Sequence, residues 1–249
     1  MEAYTGFAQV YDTFMDNTPY KEWAERIRTI LAKEGIKEGL VLDLGCGTGS
    51  LTTILSDLGY DMIGVDLSPE MLQIAQDKRK GRDILYLCQD MREFELYGTV
   101  RAVVSVCDSV NYLTEDGDLT ECFRLVNNYL DPSGLFIFDF NTLYKYRDVI
   151  GETTIAENRE EASFIWENYF DEEEQLNEYE LTIFAKEGNG LYRKFEEVHL
   201  QRGYTLSQMK EALKSAGMEF VDAFDSDTLK EPTDESERIL VIAKEKGKG

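Results

Sequence analysis

The segment Val41–Gly49, with the sequence VLDLGCGTG, combines an apolar run, an acid and three closely spaced glycines. The glycines, Gly45, Gly47 and Gly49, permit a turn whose backbone a ligand can approach closely. A helix that begins after such a turn offers free N–H groups and the positive end of its dipole to an anionic group of a ligand. This segment is therefore a candidate ligand-binding turn.

A second acid, Asp66, lies seventeen residues after Gly49 at the end of the next apolar run. At that position of a nucleotide-binding α/β fold, a carboxylate accepts hydrogen bonds from the hydroxyls of a ribose. The glycine turn and Asp66 together predict a cofactor of the adenosine type, bound where the strands end.

Two details of the turn favour a cationic cofactor over a dinucleotide. The dinucleotide fingerprint requires a third glycine at the position that Ser50 occupies. Asp43 would place negative charge beside a pyrophosphate, whereas it suits an ammonium or sulfonium group. A nicotinamide-dependent oxidoreductase, which would use the same sheet and Asp66, stays open as an alternative.

Asp43 and the three glycines resemble the first motif of the class I S-adenosylmethionine-dependent methyltransferases. Segments similar to later motifs of that family follow in order at 66–72 (DLSPEML), 89–91 (QDM) and 106–109 (VCDS). The resemblance covers roughly residues 36–143 and 203–249. It implies an S-adenosylmethionine cofactor and a doubly wound, Rossmann-like α/β fold.

The resemblance also implies roles for single residues. Asp66 would hold the ribose, and Leu67 and Met71 would flank the adenine. Asp90 and the Met91 N–H would contact the adenine edge. The full implied cofactor-binding set is Tyr11, Tyr20, Asp43, Gly45, Cys46, Gly47, Gly49, Asp66, Leu67, Met71, Asp90, Met91, Cys107 and Asp108.

More narrowly, the chain resembles the YqeM-like group of bacterial small-molecule methyltransferases. The segments that carry this resemblance are 11–12 (YD), 19–23 (PYKEW) and 199–204 (HLQRGY). It implies that Tyr11 and Tyr20 belong to an N-terminal segment that closes over the cofactor, and that an antiparallel insertion covers the active site.

Methyl transfer from a sulfonium is a direct displacement that depends mainly on holding the acceptor in line with the methyl group, about 3 Å away. A general base is needed only where the acceptor arrives protonated. His199 is the only histidine and is the candidate base, with a structural or substrate-orienting role as the alternative. Candidate residues of the acceptor pocket are Trp166, Arg202 and Tyr204.

A metal ion is not expected. Asp108, Asp139 and Asn141 lie where metal-dependent catechol-type methyltransferases hold magnesium, but Phe140 separates the expected acid–amide pair. Magnesium requires several converging oxygen ligands. The four cysteines lack the paired short spacing of a zinc site.

Apolar runs alternating with helical patterns predict the parallel sheet that must position these residues. Ser68 as N-cap followed by Pro69 predicts one helix, and Thr205 with Gln208 predicts a second through a capping box. The predicted strands are 40–44, 62–66, 84–88, 102–107, 135–140, 219–224 and 239–243.

Two stretches depart from that alternation. Residues 1–35 have the spacing of an amphipathic helix, whose aromatic face comprises Tyr4, Phe7, Tyr11 and Phe14. Residues 151–202 contain short β-rich runs separated by acidic or glycine-containing turns, which favours antiparallel hairpins. We therefore expect an N-terminal helical lid (1–35), a methyltransferase core (36–150 and 203–249) and an inserted antiparallel cap (151–202).

The net charge of the 249-residue chain is −23, which disfavours nucleic-acid and anionic membrane surfaces because these attract basic clusters. The basic segment Lys78–Lys80 is interpreted as a helix C-terminus. No apolar run has the length of a membrane span, and the first residues do not resemble a signal peptide. We expect a soluble, cytoplasmic enzyme that methylates a small molecule. An RNA methyltransferase and a non-catalytic interaction module remain alternatives.

Nearly half of that negative charge belongs to residues 151–199, which contain 14 acidic and four basic side chains. In a cap over the acceptor site these acids would repel polyanions. Alternatively, they only solvate the outer faces of exposed hairpins.

Overall fold

The computed structural model describes residues 7–248, so Tyr4 of the predicted aromatic face lies outside them. Six α-helices are α1 (Ala8–Phe14), α2 (Tyr20–Lys33), α3 (Ser50–Asp57), α4 (Pro69–Arg79), α5 (Asp118–Tyr129) and α6 (Leu206–Ser215). The strands are β1 (Gly39–Leu44), β2 (Tyr60–Asp66), β3 (Ile84–Cys88), β4 (Val100–Ser105), β5 (Leu130–Asn141), β6 (Thr154–Asn158), β7 (Ala162–Asp171), β8 (Leu176–Lys186), β9 (Tyr192–Arg202), β10 (Met218–Asp225) and β11 (Arg238–Glu245). A 3₁₀-helix spans Ser109–Tyr112 and a π-helix spans Lys145–Ile150.

Seven strands form the large sheet in the order β10–β11–β5–β4–β1–β2–β3. Strands β1 to β5 pair in parallel, whereas β11 is antiparallel to both β5 and β10. This is the α/β architecture that the sequence predicts. The carboxyl ends of the parallel strands meet at one edge, where ligands of open α/β sheets bind.

Side chains of the central strands alternate between two apolar cores, because successive residues of a strand point to opposite faces. In β1, Leu42 and Leu44 join the core covered by α5 and α6, whereas Val41 joins the core covered by α2, α3 and α4. Burying an aliphatic side chain of this size stabilises a fold by about 1.5–3 kcal/mol. The doubly wound arrangement predicted from the sequence is therefore confirmed.

The helix caps also match the sequence. Ser68 Oγ accepts the Met71 N–H at 3.2 Å, and Thr205 and Gln208 form the reciprocal capping box. The predicted single helix at the N-terminus is wrong, since α1 and α2 are separate helices with Pro19 before the second. The residue that precedes a proline is disfavoured in helical conformation, which explains the break.

The prediction for β4 extends two residues too far. The strand ends at Ser105, and Cys107 and Asp108 adopt left-handed backbone conformations with φ of 59° and 52°. Asp139 stabilises this turn by accepting their N–H groups at 3.3 and 2.7 Å. The chain therefore leaves the sheet abruptly and enters the 3₁₀-helix.

The second sheet has the antiparallel order β6–β7–β8–β9, with strands longer than the short runs seen in the sequence. Its apolar core includes Phe164 and Leu181 and extends to Val10 of α1. The acids Glu178 and Glu180 alternate with buried residues and face outward. The first helix thus packs on the second sheet, and part of the acidic charge solvates that sheet's outer face.

No helix within residues 7–248 is long and apolar enough to cross a membrane.

Candidate active site

A cavity of about 430 Å³ lies at the carboxyl ends of the parallel strands. It is lined by twelve of the fourteen predicted cofactor-binding residues: Tyr11, Tyr20, Asp43, Gly45, Cys46, Gly47, Asp66, Leu67, Met71, Asp90, Met91 and Cys107. Gly49 and Asp108 do not line it. Motifs from four segments of the sequence therefore converge on one space.

The glycine turn is fastened to β2. Backbone N–H groups of Gly45 and Cys46 donate to the Val65 carbonyl at 2.8 and 2.9 Å. Gly47 has a φ of +52°, and a Cβ added there would meet nothing within 4 Å, so its backbone borders open space. A Cβ on Gly49 would lie 2.4 Å from the Tyr86 hydroxyl, so this glycine serves packing rather than ligand approach.

Asp43 is a buried acid beneath the glycine turn. Its carboxylate accepts a hydrogen bond from the Thr52 hydroxyl at 2.6 Å. Burial raises the pKa of Asp43 to about 7, despite the opposing effect of that hydrogen bond. A cation bound above the turn would favour the ionised carboxylate, because opposite charges stabilise each other.

Asp66 accepts two backbone hydrogen bonds, from Gly47 N–H at 2.7 Å and from Ser68 N–H at 2.9 Å. Burial raises the pKa of this carboxyl, while the N–H groups act in the opposite direction. A carboxylate offers about four lone-pair sites. Asp66 therefore can accept hydrogen bonds from ribose hydroxyls while it orders the glycine turn.

The opposite wall combines apolar and charged groups. Leu67 is 65% exposed and Met71 is buried, and both line the cavity. Arg92 binds Asp90 through Nη2 at 2.5 Å, and this hydrogen bond lowers the pKa of the Asp90 carboxyl. Asp90 therefore lines the cavity as a carboxylate that is already paired with Arg92.

Tyr11, Tyr20 and Cys107 form an uncharged wall. The Cys107 thiol lies 3.9 Å from the Tyr20 hydroxyl, and the two tyrosine hydroxyls interact with each other. Burial raises the pKa of all three groups. This part of the cavity presents neutral phenol and thiol groups.

Asp108 faces away from the cavity, into a charged cluster. Its carboxylate accepts from Arg238 Nη2 at 2.6 Å and from Gln201 Nε2 at 2.8 Å. Arg238 also lies 3.5 Å from Asp139. The Arg238 guanidinium thus lies between Asp108 and Asp139, where a magnesium ion held by these two acids would lie. Within residues 7–248, no group of three or more His, Cys, Asp or Glu side chains is arranged to hold a metal ion.

The four residues predicted for base and acceptor roles do not line the cavity. Trp166 packs on Tyr179 at a ring distance of 4.8 Å. Arg202 pairs with Asp116 at 3.1 Å. Tyr204 is buried and donates its hydroxyl to the Leu113 carbonyl, which commits it to the core.

His199 is 1% exposed and reaches the cavity only through another residue. Its Nδ1 lies 3.0 Å from the hydroxyl of Tyr112, which does line the cavity. Sequence reasoning missed Tyr112, because nothing in the sequence marks a tyrosine three residues after the VCDS motif. His199 therefore borders Tyr112 rather than the cavity, and its role as a base stays a prediction.

An ion pair that no sequence pattern indicates joins α1 to α4. Lys78 Nζ lies 2.8 Å from Asp12 Oδ2 and also donates to Thr48 Oγ1 at 2.9 Å and to Ser50 Oγ at 2.7 Å. The pair joins α1, the glycine turn and α4. Lys78 is therefore engaged within the protein, as is Arg82 through Asp57 at 2.7 Å.

The fold and the cavity define the chain as an α/β protein that binds a nucleoside cofactor. The methyltransferase domain family matches residues 41–134. The chain is 37% identical to a putative methyltransferase, YqeM, of Bacillus subtilis, over 96% of each chain. It is also similar to the crystal structure of an S-adenosylmethionine-dependent methyltransferase of Clostridium acetobutylicum, with 30% sequence identity and a TM-score of 0.89. The match covers 99% of this chain and 100% of the Clostridium chain.

The chain therefore belongs to the S-adenosylmethionine-dependent methyltransferases, and its cofactor is S-adenosylmethionine. It is also 30% identical, over 53% of its length and 56% of the relative's, to a dTDP-3-amino-3,4,6-trideoxy-alpha-D-glucopyranose N,N-dimethyltransferase of Streptomyces venezuelae.

The raised pKa of Asp43 predicts a pH-dependent effect of Asp43→Asn on stability. Between its unfolded pKa of 3.8 and its folded pKa of about 7, Asp43 binds more protons in the folded state, so its contribution to stability falls as pH rises. The amide that replaces the carboxyl does not titrate. Relative to the wild type, the variant should therefore gain roughly 2–3 kcal/mol of unfolding free energy between pH 5 and pH 8, measured by urea denaturation.

Asp61→Asn, at an exposed position on β2, is the matched control and should show no such gain. A constant difference between Asp43→Asn and the wild type across this pH range would contradict the raised pKa.

Proposed function

We propose that the protein transfers the methyl group of S-adenosylmethionine to a small-molecule acceptor in this cavity, by direct displacement. The observation that carries the proposal is the convergence of Asp43, Asp66 and the glycine turn on one cavity beside a neutral tyrosine wall. In this proposal Asp66 binds the ribose, and Leu67 and Met71 hold the adenine. Asp90 and the Met91 N–H bind the adenine edge.

The remaining lining residues would receive the methionine part and the acceptor. Gly45, Cys46 and Gly47 offer backbone contacts beside Asp43, whose charge suits the cofactor's cationic groups. Tyr11, Tyr20 and Cys107 would enclose the methyl group. Such enclosure fixes the acceptor in line with the sulfur–carbon bond, and positioning of this kind supplies most of the catalysis in a direct displacement.

The charge of the cavity supports an acceptor that is neutral or cationic. Four acids line it, Asp43, Asp66, Glu70 and Asp90, and Arg92 is the one cation among the described lining residues. Arg92 is paired with Asp90 and with Asp118. A carboxylate or phosphate group placed inside the cavity would therefore meet repulsion, whereas an amine would not. The Streptomyces relative, which by its name N-methylates an amino sugar carried on dTDP, supports an amine as the group that enters the cavity.

An RNA acceptor is disfavoured by the same charges. The basic segment after Asp77 is engaged internally: Lys78 with Asp12, and Arg79 with the Ile84 carbonyl at 3.2 Å. RNA binding depends on cationic side chains that can contact phosphates.

The proposal assigns residues 1–35 as a lid, residues 36–150 and 203–249 as the catalytic core, and residues 151–202 as a cap. Tyr11 lies on α1 and lines the cavity, and α1 packs on the second sheet through Val10. Closure of such a segment excludes water and completes the site. The Asp12–Lys78 pair would hold the lid closed over bound cofactor.

Asp66→Ala should weaken S-adenosylmethionine binding at least tenfold, because hydrogen bonds to a charged group contribute about 1.5–3 kcal/mol. Isothermal titration calorimetry measures this loss, with Asp61→Ala as the control on the same strand. Wild-type binding of NAD in place of S-adenosylmethionine would overturn the proposal, as would an Asp66→Ala protein that keeps full affinity.

The acceptor class can be tested with methyl-labelled S-adenosylmethionine and fractionated cell metabolites and RNA. Label should enter an amine-containing small molecule in the presence of the wild type and not of Asp66→Ala. Label found only in RNA would overturn the small-molecule proposal, and label in no fraction would favour a non-catalytic role.

Asp12→Ala should speed the release of S-adenosylhomocysteine about two- to fivefold, because a partly exposed ion pair contributes up to about 1 kcal/mol. Stopped-flow fluorescence measures the rate. Asp57→Ala removes the ion pair with Arg82, which does not involve α1, and should leave the rate unchanged. Equal rates in Asp12→Ala and the wild type would contradict the proposed closure.

A further inference from the structure

The outer face of the second sheet points away from α1 and exposes several large apolar side chains. Inner-face residues such as Leu181 and Ile183 form the apolar core that extends to α1. Their neighbours along each strand point outward, because successive residues of a strand alternate between the two faces. Four large outward residues are exposed by 37–48%: Ile165, Tyr169, Val198 and Leu200.

The strand register places these side chains in two columns with acids between them. On the central strand β8, Glu178 lies opposite Tyr169 of β7 on one side and opposite Leu200 of β9 on the other. Two residues further along β8, Glu180 lies opposite Val198. Because neighbouring strands are about 4.8 Å apart, the apolar columns on β7 and β9 are separated by about 10 Å. Grouped apolar side chains of this kind mark surfaces that bind a partner.

Three acids of this face are not paired with a cation of the chain. The ion pairs of residues 7–248 include none of Glu167, Glu178 and Glu180. Glu180 lies directly opposite Glu167, and like charges in that arrangement destabilise a sheet. The charge of Glu167, and less strongly those of Glu180 and Glu178, raises the pKa of Tyr169. The face therefore has a negative potential that no cation in the described part of the chain neutralises.

A second copy of this chain would not neutralise that potential. The basic residues at the outward, even-numbered positions of β8 and β9 are Lys186, Lys194 and Arg202, and all three already form ion pairs within the chain. Two copies stacked through this face would bring acids against acids without a free cation. The face therefore requires a partner that supplies its own basic side chains.

We propose that the outer face of the second sheet is a docking surface for a basic amphipathic helix of a partner protein. The diameter of an α-helix with its side chains, about 10–12 Å, matches the separation of the two apolar columns. Residues four apart on a helix are separated by about 6 Å, and Glu178 and Glu180 are separated by about 7 Å. Two lysines or arginines at that spacing therefore meet both acids. Apolar side chains on either side of the basic row cover Tyr169, Val198 and Leu200.

This inference goes beyond methyl transfer and does not depend on it. The residues of the outer face do not line the cavity, and the inner face of the sheet separates them from α1. One molecule can therefore bind the partner and the cofactor together.

The charge of the face is tested with a synthetic helical peptide of about 18 residues, in which lysines at i, i+4 spacing form a row flanked by leucines. Fluorescence anisotropy of the labelled peptide measures its affinity for the full-length protein. Glu178→Gln/Glu180→Gln should weaken binding about fivefold, because two exposed ion pairs are lost. Glu231→Gln/Glu235→Gln removes the same charge from an exposed loop before β11 and should change the affinity by less than about twofold.

The apolar columns are tested separately with the same peptide. Leu200→Ser should weaken binding about threefold, because an apolar contact is lost. Val221→Ser, at a similarly exposed position on β10, is the matched control and should leave the affinity unchanged. An unchanged affinity for S-adenosylhomocysteine shows that each variant keeps the fold.

Equal peptide affinity in the two double variants would overturn the proposal, and so would equal binding of a peptide with the same composition in scrambled order. Either result would reduce the interaction to net charge. Absence of peptide binding to the wild type at low salt would overturn it as well. So would a wild-type dimer, seen by sedimentation, that Leu200→Ser dissociates, because a second copy would then cover the face.

Discussion

The carboxylate of Asp139 holds the end of β4 in a backbone conformation that residues other than glycine rarely adopt. Its two bonds to the N–H groups of Cys107 and Asp108 turn the chain out of the sheet and into the 3₁₀-helix that ends with Tyr112. The wall of the cavity from Cys107 to Tyr112 depends on this turn. Arg238 supplies the counter-charge, and removing one member of such a buried pair costs about 3–5 kcal/mol.

The protein uses its buried acids in two different ways. Asp108 and Asp139 share Arg238 and serve the framework, which is why they neither reach the cavity nor resemble a metal site. Asp43 and Asp66 are held by hydroxyl and backbone N–H groups, and no cation from residues 7–248 is in direct contact with them. Burial raises the pKa of both, so they gain most from a cationic ligand. Because Asp43 and Asp66 lack the arginine that pairs with Asp108 and Asp139, the site favours a ligand with positive charge.

Features formed by a few neighbouring residues could be predicted from the sequence, whereas contacts between distant segments could not. The glycine turn, Asp66 and the cap at Ser68 are patterns of a few residues, and the strands that carry them are continuous apolar runs. The partners of Asp12 and Asp139 lie 66 and 99 residues away, so no spacing rule could pair them. The break at Pro19 could have been predicted from the restriction that proline imposes. The strands of the second sheet were underestimated because their outward acids mask the alternation.

Glu197 connects two parts of the protein that lie 190 residues apart in the sequence. One oxygen faces His199, which contacts Tyr112, and the other accepts the Phe7 N–H immediately before α1. The helix α1 carries Tyr11 to the cavity and Asp12 to Lys78. A displacement of α1 would therefore alter the environment of the carboxylate that pairs with His199. The N-terminal helix and the Tyr112 side of the cavity are in this way linked through one buried side chain of the second sheet.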